Sequence, residues 1–210
     1  MVTSDVHSQG KAAGQAAQPV DRVVRGYLLT AGVKFIEATY DRDQQQRIWT
    51  RMPAEARPLA AKASRGEWVP ARYWSSTIEA IAQEHPDLEQ RHDAIVAFGR
   101  FMAEEAVGSY LKLLLRVLSP SMFLRRLPAT FEHDIRPGSV TVDTSQMAER
   151  RLITITQHNV EGLAYVWTVG AGWVAQALSF TGLKGVKGRT LSPALDQPFA
   201  SEGTFKVWWE

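Results

Sequence analysis

The chain of 210 residues contains no cysteine. It can therefore form neither a disulfide nor a thiolate metal site. This absence is typical of a reducing compartment, so we expect a cytoplasmic protein. The first residues also lack the continuous apolar stretch of a signal peptide. Their Ala, Gly, Gln and Ser content predicts a disordered tail over residues 1–19.

Signatures of catalysis are missing as well. There is no Gly-x-Ser-x-Gly elbow, and no two histidines have the HxxxH spacing of a helical metal site. The segment Lys184–Arg189 contains two glycines, but it lacks the Lys-Ser or Lys-Thr ending of a phosphate-binding loop. We therefore expect no enzymatic activity, no metal and no cofactor. An enzyme of unrecognised type is the less favoured alternative, with Glu132, His133 and Asp134 as the first place to look.

An excess of charge of one sign is also absent. The sequence has 24 Lys and Arg against 22 Asp and Glu, a net charge of +2. The basic residues occur in scattered pairs, such as Arg125 and Arg126, rather than in one cluster. Nucleic-acid-binding proteins usually concentrate basic residues on one face. We expect no nucleic-acid partner.

The only long stretch without charge lies between Glu161 and Lys184. It is interrupted by glycine, threonine, glutamine and serine and lies between two strand patterns, so we expect no membrane span. The pattern instead predicts a helix over 159–180, capped by Asn159 and apolar on most of its circumference. The face with Trp167 is expected to cover a sheet. The face with Trp173 requires a second surface, which is the helical bundle, a second subunit or a ligand.

Two periodicities divide the chain. Apolar residues recur at spacings of three and four from Gly26 to about Asp134, most regularly over 94–117, and predict helices. Residues 139–143 and 151–156 then alternate, and 183–191 and 204–209 predict two closing strands. We therefore predict an α+β fold, in which an N-terminal helical bundle packs on a small four-stranded antiparallel sheet. The order β-β-α-β-β forms its C-terminal part, and 20–210 form a single domain.

Aromatic residues are abundant, with seven tryptophans. Ligand pockets are mostly apolar, with a few polar groups. The candidate residues for such a pocket are Trp74, Phe98, Tyr110, Trp167 and Trp173. The same residues at helical spacing also fit an ordinary core, and the sequence leaves both interpretations open.

Five short motifs carry a family resemblance: Val24–Gly26, Gly66–Pro70, Phe98–Arg100, Leu118–Pro120 and the closing Phe-x-Val-x-Trp at 205–209. Through them the chain resembles a large paralogous family of myxobacterial proteins of unknown function. Its layout is also similar to the fold of haem–nitric-oxide sensors, 4-vinyl reductase domains and acyl-chain-binding subunits of the eukaryotic vesicle-tethering complex. Ser201–Thr204 stands where 4-vinyl reductase domains commonly carry metal-binding cysteines. The Tyr-x-Ser-x-Arg motif of the haem sensors has no counterpart, so neither zinc nor haem is carried over.

The resemblance implies a homodimer that encloses an apolar ligand. We therefore expect a non-enzymatic signalling or sensor domain that binds an apolar small molecule. The alternative is a ligand-free protein-interaction or scaffolding module with a protein partner.

Overall fold

The computed structural model describes residues 22–106, 118–194 and 196–210. The first of these ranges contains five helices and two short strands. They are β1 (Val23–Arg25), α1 (Gly26–Thr39), α2 (Arg42–Arg51), α3 (Ala56–Lys62), β2 (Trp68–Pro70), α4 (Ala71–Gln83) and α5 (Leu88–Ala106). The predicted tail 1–19 and the predicted continuation of α5 to residue 117 lie outside the described residues.

The remaining ranges contain the sheet and three further helices. They are α6 (Pro120–Asp134), β3 (Ile135–Arg136), β4 (Ser139–Asp143), α7 (Met147–Arg150), β5 (Leu152–His158), α8 (Val166–Phe180), β6 (Lys187–Ser192) and β7 (Glu202–Trp208). Ser119 caps α6 as its side chain accepts a hydrogen bond from the Met122 amide at 3.2 Å, and Pro120 follows at the first helical position.

The main sheet has the strand order β4-β5-β7-β6, and every neighbouring pair is antiparallel. Strand β5 pairs with β7 along its whole length, from Leu152 opposite Trp208 to His158 opposite Glu202. Alternate residues of β5 are buried, as an antiparallel sheet with one covered face requires. The predicted fold class and the order of its C-terminal elements are confirmed.

A second sheet of three short strands was not predicted. Strand β1 lies between β2 and β3, with Val24 opposite both Val69 and Ile135. Because β1 leads into α1 and β3 follows α6, this sheet holds the start of α1 beside the end of α6. Strands of two or three residues leave no periodic signal in a sequence.

The predicted start of the long apolar helix was wrong. Asn159 does not cap it, because α8 begins at Val166, with Tyr165 at its N-cap position. Asn159, Gly162 and Tyr165 all have positive φ angles, of 55°, 78° and 50°, so the chain changes direction before the helix begins. The helix is 15 residues long. Among the described residues, no helix is long and apolar enough to cross a membrane.

Helices α5 and α8 cross with their backbones in contact, through Gly99 and Gly172. A Cβ at Gly172 would lie 2.0 Å from the carbonyl oxygen of Val96, and one at Gly99 would lie 2.1 Å from that of Val169. Neither position has room for a methyl group. The backbone of α8 therefore packs on α5 of the helical bundle, while the ring of Trp173 stacks on Phe123 of α6.

We expect Gly172→Ala to destabilise the protein by about 1–3 kcal/mol, because the blocking atoms are backbone and the two helices must separate. Urea denaturation measures this change. Gly66→Ala is the matched control, since a Cβ there meets nothing within 4 Å. An equal response of the two variants would contradict the proposed crossing.

A buried carboxylate joins α2 to the end of α4. The side chain of Glu84 is only 5% exposed and forms salt bridges with Arg47 and Arg51. Its hydrogen bond from Arg47, supported by that from Arg51, holds the pKa of Glu84 below its ordinary value against the opposing effect of burial. Its ionised form is therefore favoured in the folded state.

We expect Glu84→Gln to lower the free energy of unfolding at pH 7 by about 1–3 kcal/mol. Because the folded pKa is depressed, this stabilisation exists above the unfolded pKa near 4.5 and is lost as pH falls through the folded value. The difference between wild type and variant in the free energy of unfolding should accordingly shrink as pH falls below about 4.5. A constant difference down to pH 2 would contradict the assignment, since about pH 2 lies below an ordinary carboxyl pKa.

Candidate functional site

A cavity of about 70 Å³ lies between the helical bundle and the main sheet, and we name it the inner cavity. Five helices and four strands contribute to its wall. Its residues include Leu28 of α1, Trp74 of α4, Met102 of α5, Leu127 of α6, Trp173 of α8, Val140 of β4, Ile155 of β5 and Phe205 of β7. The wall is mostly apolar, as expected of a small-molecule site.

Two polar atoms in the wall of the inner cavity have no hydrogen-bond partner. They are the indole nitrogen Nε1 of Trp74, a donor, and the amide oxygen Oε1 of Gln157, an acceptor. Both side chains are buried, at 1% and 3% exposure. A buried polar group without a partner costs about 1–3 kcal/mol. The indole nitrogen of Trp167 is also unpaired, although Trp167 does not line this cavity.

A larger cleft of about 510 Å³ adjoins the inner cavity, and we name it the outer cleft. Tyr27, Thr130, Asp134 and Trp173 line both spaces. The outer cleft differs in charge. Among the described residues in its wall are three arginines, Arg25, Arg65 and Arg126, and one carboxylate, that of Asp134.

A chain of hydrogen bonds crosses the boundary between the two spaces. The hydroxyl of Tyr27 donates to Asp134 Oδ2 at 2.6 Å, and Asp134 Oδ1 lies 2.9 Å from His133 Nδ1. His133 Nε2 lies 3.3 Å from a guanidinium nitrogen of Arg25. If Nδ1 carries the proton, every contact pairs one donor with one acceptor.

Burial, with further contributions from Asp134, raises the pKa of Tyr27 well above its ordinary value. Tyr27 is therefore a neutral phenol that donates a hydrogen bond. It supplies neither a base nor an anionic ligand at neutral pH. The chain of hydrogen bonds fixes the side chains at the boundary.

The structure brings together two of the five residues predicted from the sequence. Trp74 and Trp173 line the inner cavity. Phe98 packs on Phe35, with ring centroids 5.2 Å apart, and Trp167 packs on Gly203 of β7. Neither of these lines the inner cavity, and Tyr110 lies outside the described residues.

Sequence reasoning missed Tyr27 and Gln157. Gln157 stands at an inward position of an alternating strand, where a polar residue is unusual, and the predicted strand ended one residue before it. Tyr27 carries no local signal, because its partner Asp134 is 107 positions away in the chain.

We expect Gln157→Met to stabilise the ligand-free protein by about 1 kcal/mol, because the change removes an unpaired buried acceptor and keeps the shape of the side chain. Thermal and urea denaturation of the purified protein measure the difference. Gln176→Met on α8 is the control, because Gln176 accepts from Arg100 and donates to Glu104. Gln176→Met should destabilise the protein. A loss of stability in both variants would contradict the prediction, by showing that the side-chain oxygen of Gln157 has a hydrogen-bond partner.

Comparison with known proteins identifies the fold of the chain. No protein-family model matches the chain, and no curated protein matches it. Among solved structures, it is similar to an H-NOX protein from S. oneidensis in the Fe(II)NO ligation state, with a TM-score of 0.60 at 9% identity, over 89% of this chain and 99% of the other. It is likewise similar to an Fe(II) unliganded H-NOX protein mutant from K. algicida, with a TM-score of 0.58 at 11% identity, over 89% and 96%. The chain therefore has the fold of the H-NOX proteins, as the resemblance to haem–nitric-oxide sensors predicted.

Proposed function

We propose that this chain is a non-enzymatic sensor domain that binds an apolar small molecule in the inner cavity. One observation carries the proposal: the cavity is mostly apolar, yet Trp74 and Gln157 present an unpaired donor and an unpaired acceptor in its wall. A bound molecule with a polar group, such as a hydroxyl, would supply a partner that these atoms lack. The similarity to H-NOX structures supports a sensor.

The position of the inner cavity supports signalling. Its wall combines residues of the bundle, such as Trp74, with residues of the sheet, such as Phe205. A molecule bound there contacts both layers at once. Binding therefore favours the arrangement of the two layers that the molecule contacts best. A sensor must respond to its ligand by such a change in the populations of its conformations.

Haem does not fit the inner cavity. Haem iron is held by His, Cys, Met or Tyr. Of the described residues in the wall, Tyr27 and Met102 carry such atoms, but Tyr27 donates to Asp134 and its raised pKa disfavours the phenolate. His133 borders only the outer cleft, where both ring nitrogens have partners.

The polar groups at the boundary support a binding rather than a catalytic role. In the segment Glu132 to Asp134, His133 and Asp134 bond to each other and to Arg25 and Tyr27. Among the described residues, no group of three His, Cys, Asp or Glu side chains is placed to hold a metal ion. The homodimer and the cytoplasmic location stay predictions from the sequence.

Native mass spectrometry of protein purified from its own organism tests the proposal. We expect a bound small molecule in the wild type and its loss in Val174→Phe, which places a ring in the inner cavity. The control is Val142→Phe, since Val142 lies on β4 and does not line the cavity. Circular dichroism establishes that both variants fold.

Two outcomes would contradict the proposal. One is a wild-type protein with the mass of the chain alone. The other is a bound molecule that persists in a folded Val174→Phe variant, because that molecule would occupy a different site.

A further inference from the structure

We propose that the outer cleft binds the carboxylate of an amphiphilic anion whose mostly apolar part, with one further polar group, enters the inner cavity. This inference rests on the proposed function and names the class of ligand. It starts from charge: three arginines line the cleft, and the one described carboxylate among its lining residues, Asp134, already accepts from Tyr27 and contacts His133.

Arg126 is the least committed of the three arginines. It projects from α6 as an exposed residue, and its side chain has no hydrogen-bond or ion-pair partner within the described ranges. A guanidinium binds a carboxylate through two parallel hydrogen bonds. Its whole donor edge is therefore available to a ligand in the cleft.

Arg25 is held in place without being neutralised. Its guanidinium donates to the backbone carbonyls of His133, at 2.9 Å, and Gly66, and it contacts the ring of His133. It also lies 3.8 Å from the centre of the Trp68 ring, with Arg136 4.7 Å from the same ring. These partners are neutral or positive, so the guanidinium of Arg25 is oriented and forms no direct ion pair with a carboxylate of the described residues.

Arg65 repeats the pattern. It donates to the backbone carbonyls of Glu105 and Ala106 and lies over the ring of Tyr27, with 5.2 Å to the centroid. Two arginines are thus fixed by neutral groups, and Arg126 lines the same cleft. A bound anion would reduce the electrostatic repulsion among these like charges.

The apolar part of the ligand follows from the remaining wall. Leu118, Phe123, Trp173 and Ala177 line the outer cleft, and Trp173 continues into the inner cavity. An anion without an apolar part would leave this surface uncovered. A neutral apolar molecule would leave three guanidinium groups without a counter-ion.

Isothermal titration calorimetry with octanoate and its uncharged analogue octanol tests the inference on the full chain. We expect octanoate to bind about tenfold or more tightly than octanol, the effect of a hydrogen bond to a charged group. Raising the salt concentration should weaken octanoate binding and leave octanol binding unchanged.

Two neighbouring arginines on α6 provide a matched pair of variants. Arg126→Ala should reduce octanoate affinity about tenfold without changing octanol affinity. Arg125→Ala should change neither, because Arg125 is equally exposed but lines a separate groove between α6 and β4. Both substitutions are at exposed helical positions, so both proteins should fold.

The outcomes separate this inference from the proposed function. Equal affinities for octanoate and octanol, both lost in Val174→Phe, would overturn the anionic subsite and leave the sensor proposal standing. Equal effects of Arg125→Ala and Arg126→Ala on octanoate affinity would also overturn the anionic subsite, because they would show a general effect of charge. Binding of neither probe by a wild-type protein that also carries no bound molecule would overturn both.

Discussion

The structure depends on the contact between the backbones of α5 and α8 at Gly99 and Gly172. A side chain at either position would overlap a carbonyl of the other helix. The opposite side of α8 is equally constrained, since a Cβ at Gly188 of β6 would lie 2.3 Å from the carbonyl of Ala171. Helix α8 is therefore enclosed by the bundle on one side and the sheet on the other, which explains why it carries no charge.

Close packing on both sides of α8 makes the inner cavity informative. Protein interiors are usually filled to the density of organic crystals. Here the space that stays open is bordered by Trp173 and Gly170 of α8, and its wall leaves Trp74 and Gln157 without partners. A core selected only for stability would place apolar side chains at these positions. The open space in the core and the unpaired polar atoms therefore occur at the same place.

Much of the fold follows from local patterns, whereas most of the site does not. The alternation at 139–143 and 151–156 and the helical spacing before it were enough for the α+β architecture. Trp74 and Trp173 could be predicted as site residues because large aromatic side chains stand out in any sequence. Tyr27 became a site residue only because β1 pairs with β3 and places α1 beside the end of α6. Pairings between strands of two or three residues, more than 100 positions apart, cannot be read from composition or spacing.

The inner cavity and the outer cleft both contain polar groups that lack a partner, but the missing partners differ in chemical character. Trp74 and Gln157 lack neutral hydrogen-bond partners, whereas Arg25, Arg65 and Arg126 lack negative charge. Exposed arginines alone would be unremarkable, because water solvates them at little cost. Their significance comes from the adjoining cavity, because one molecule with a carboxylate in the outer cleft and a second polar group in the inner cavity would supply both the negative charge and the hydrogen-bond partners. The indole nitrogen of Trp167 is also unpaired, but Trp167 packs on Gly203 and does not line the inner cavity. An unpaired polar atom therefore indicates a ligand only where space and a second unsatisfied group accompany it.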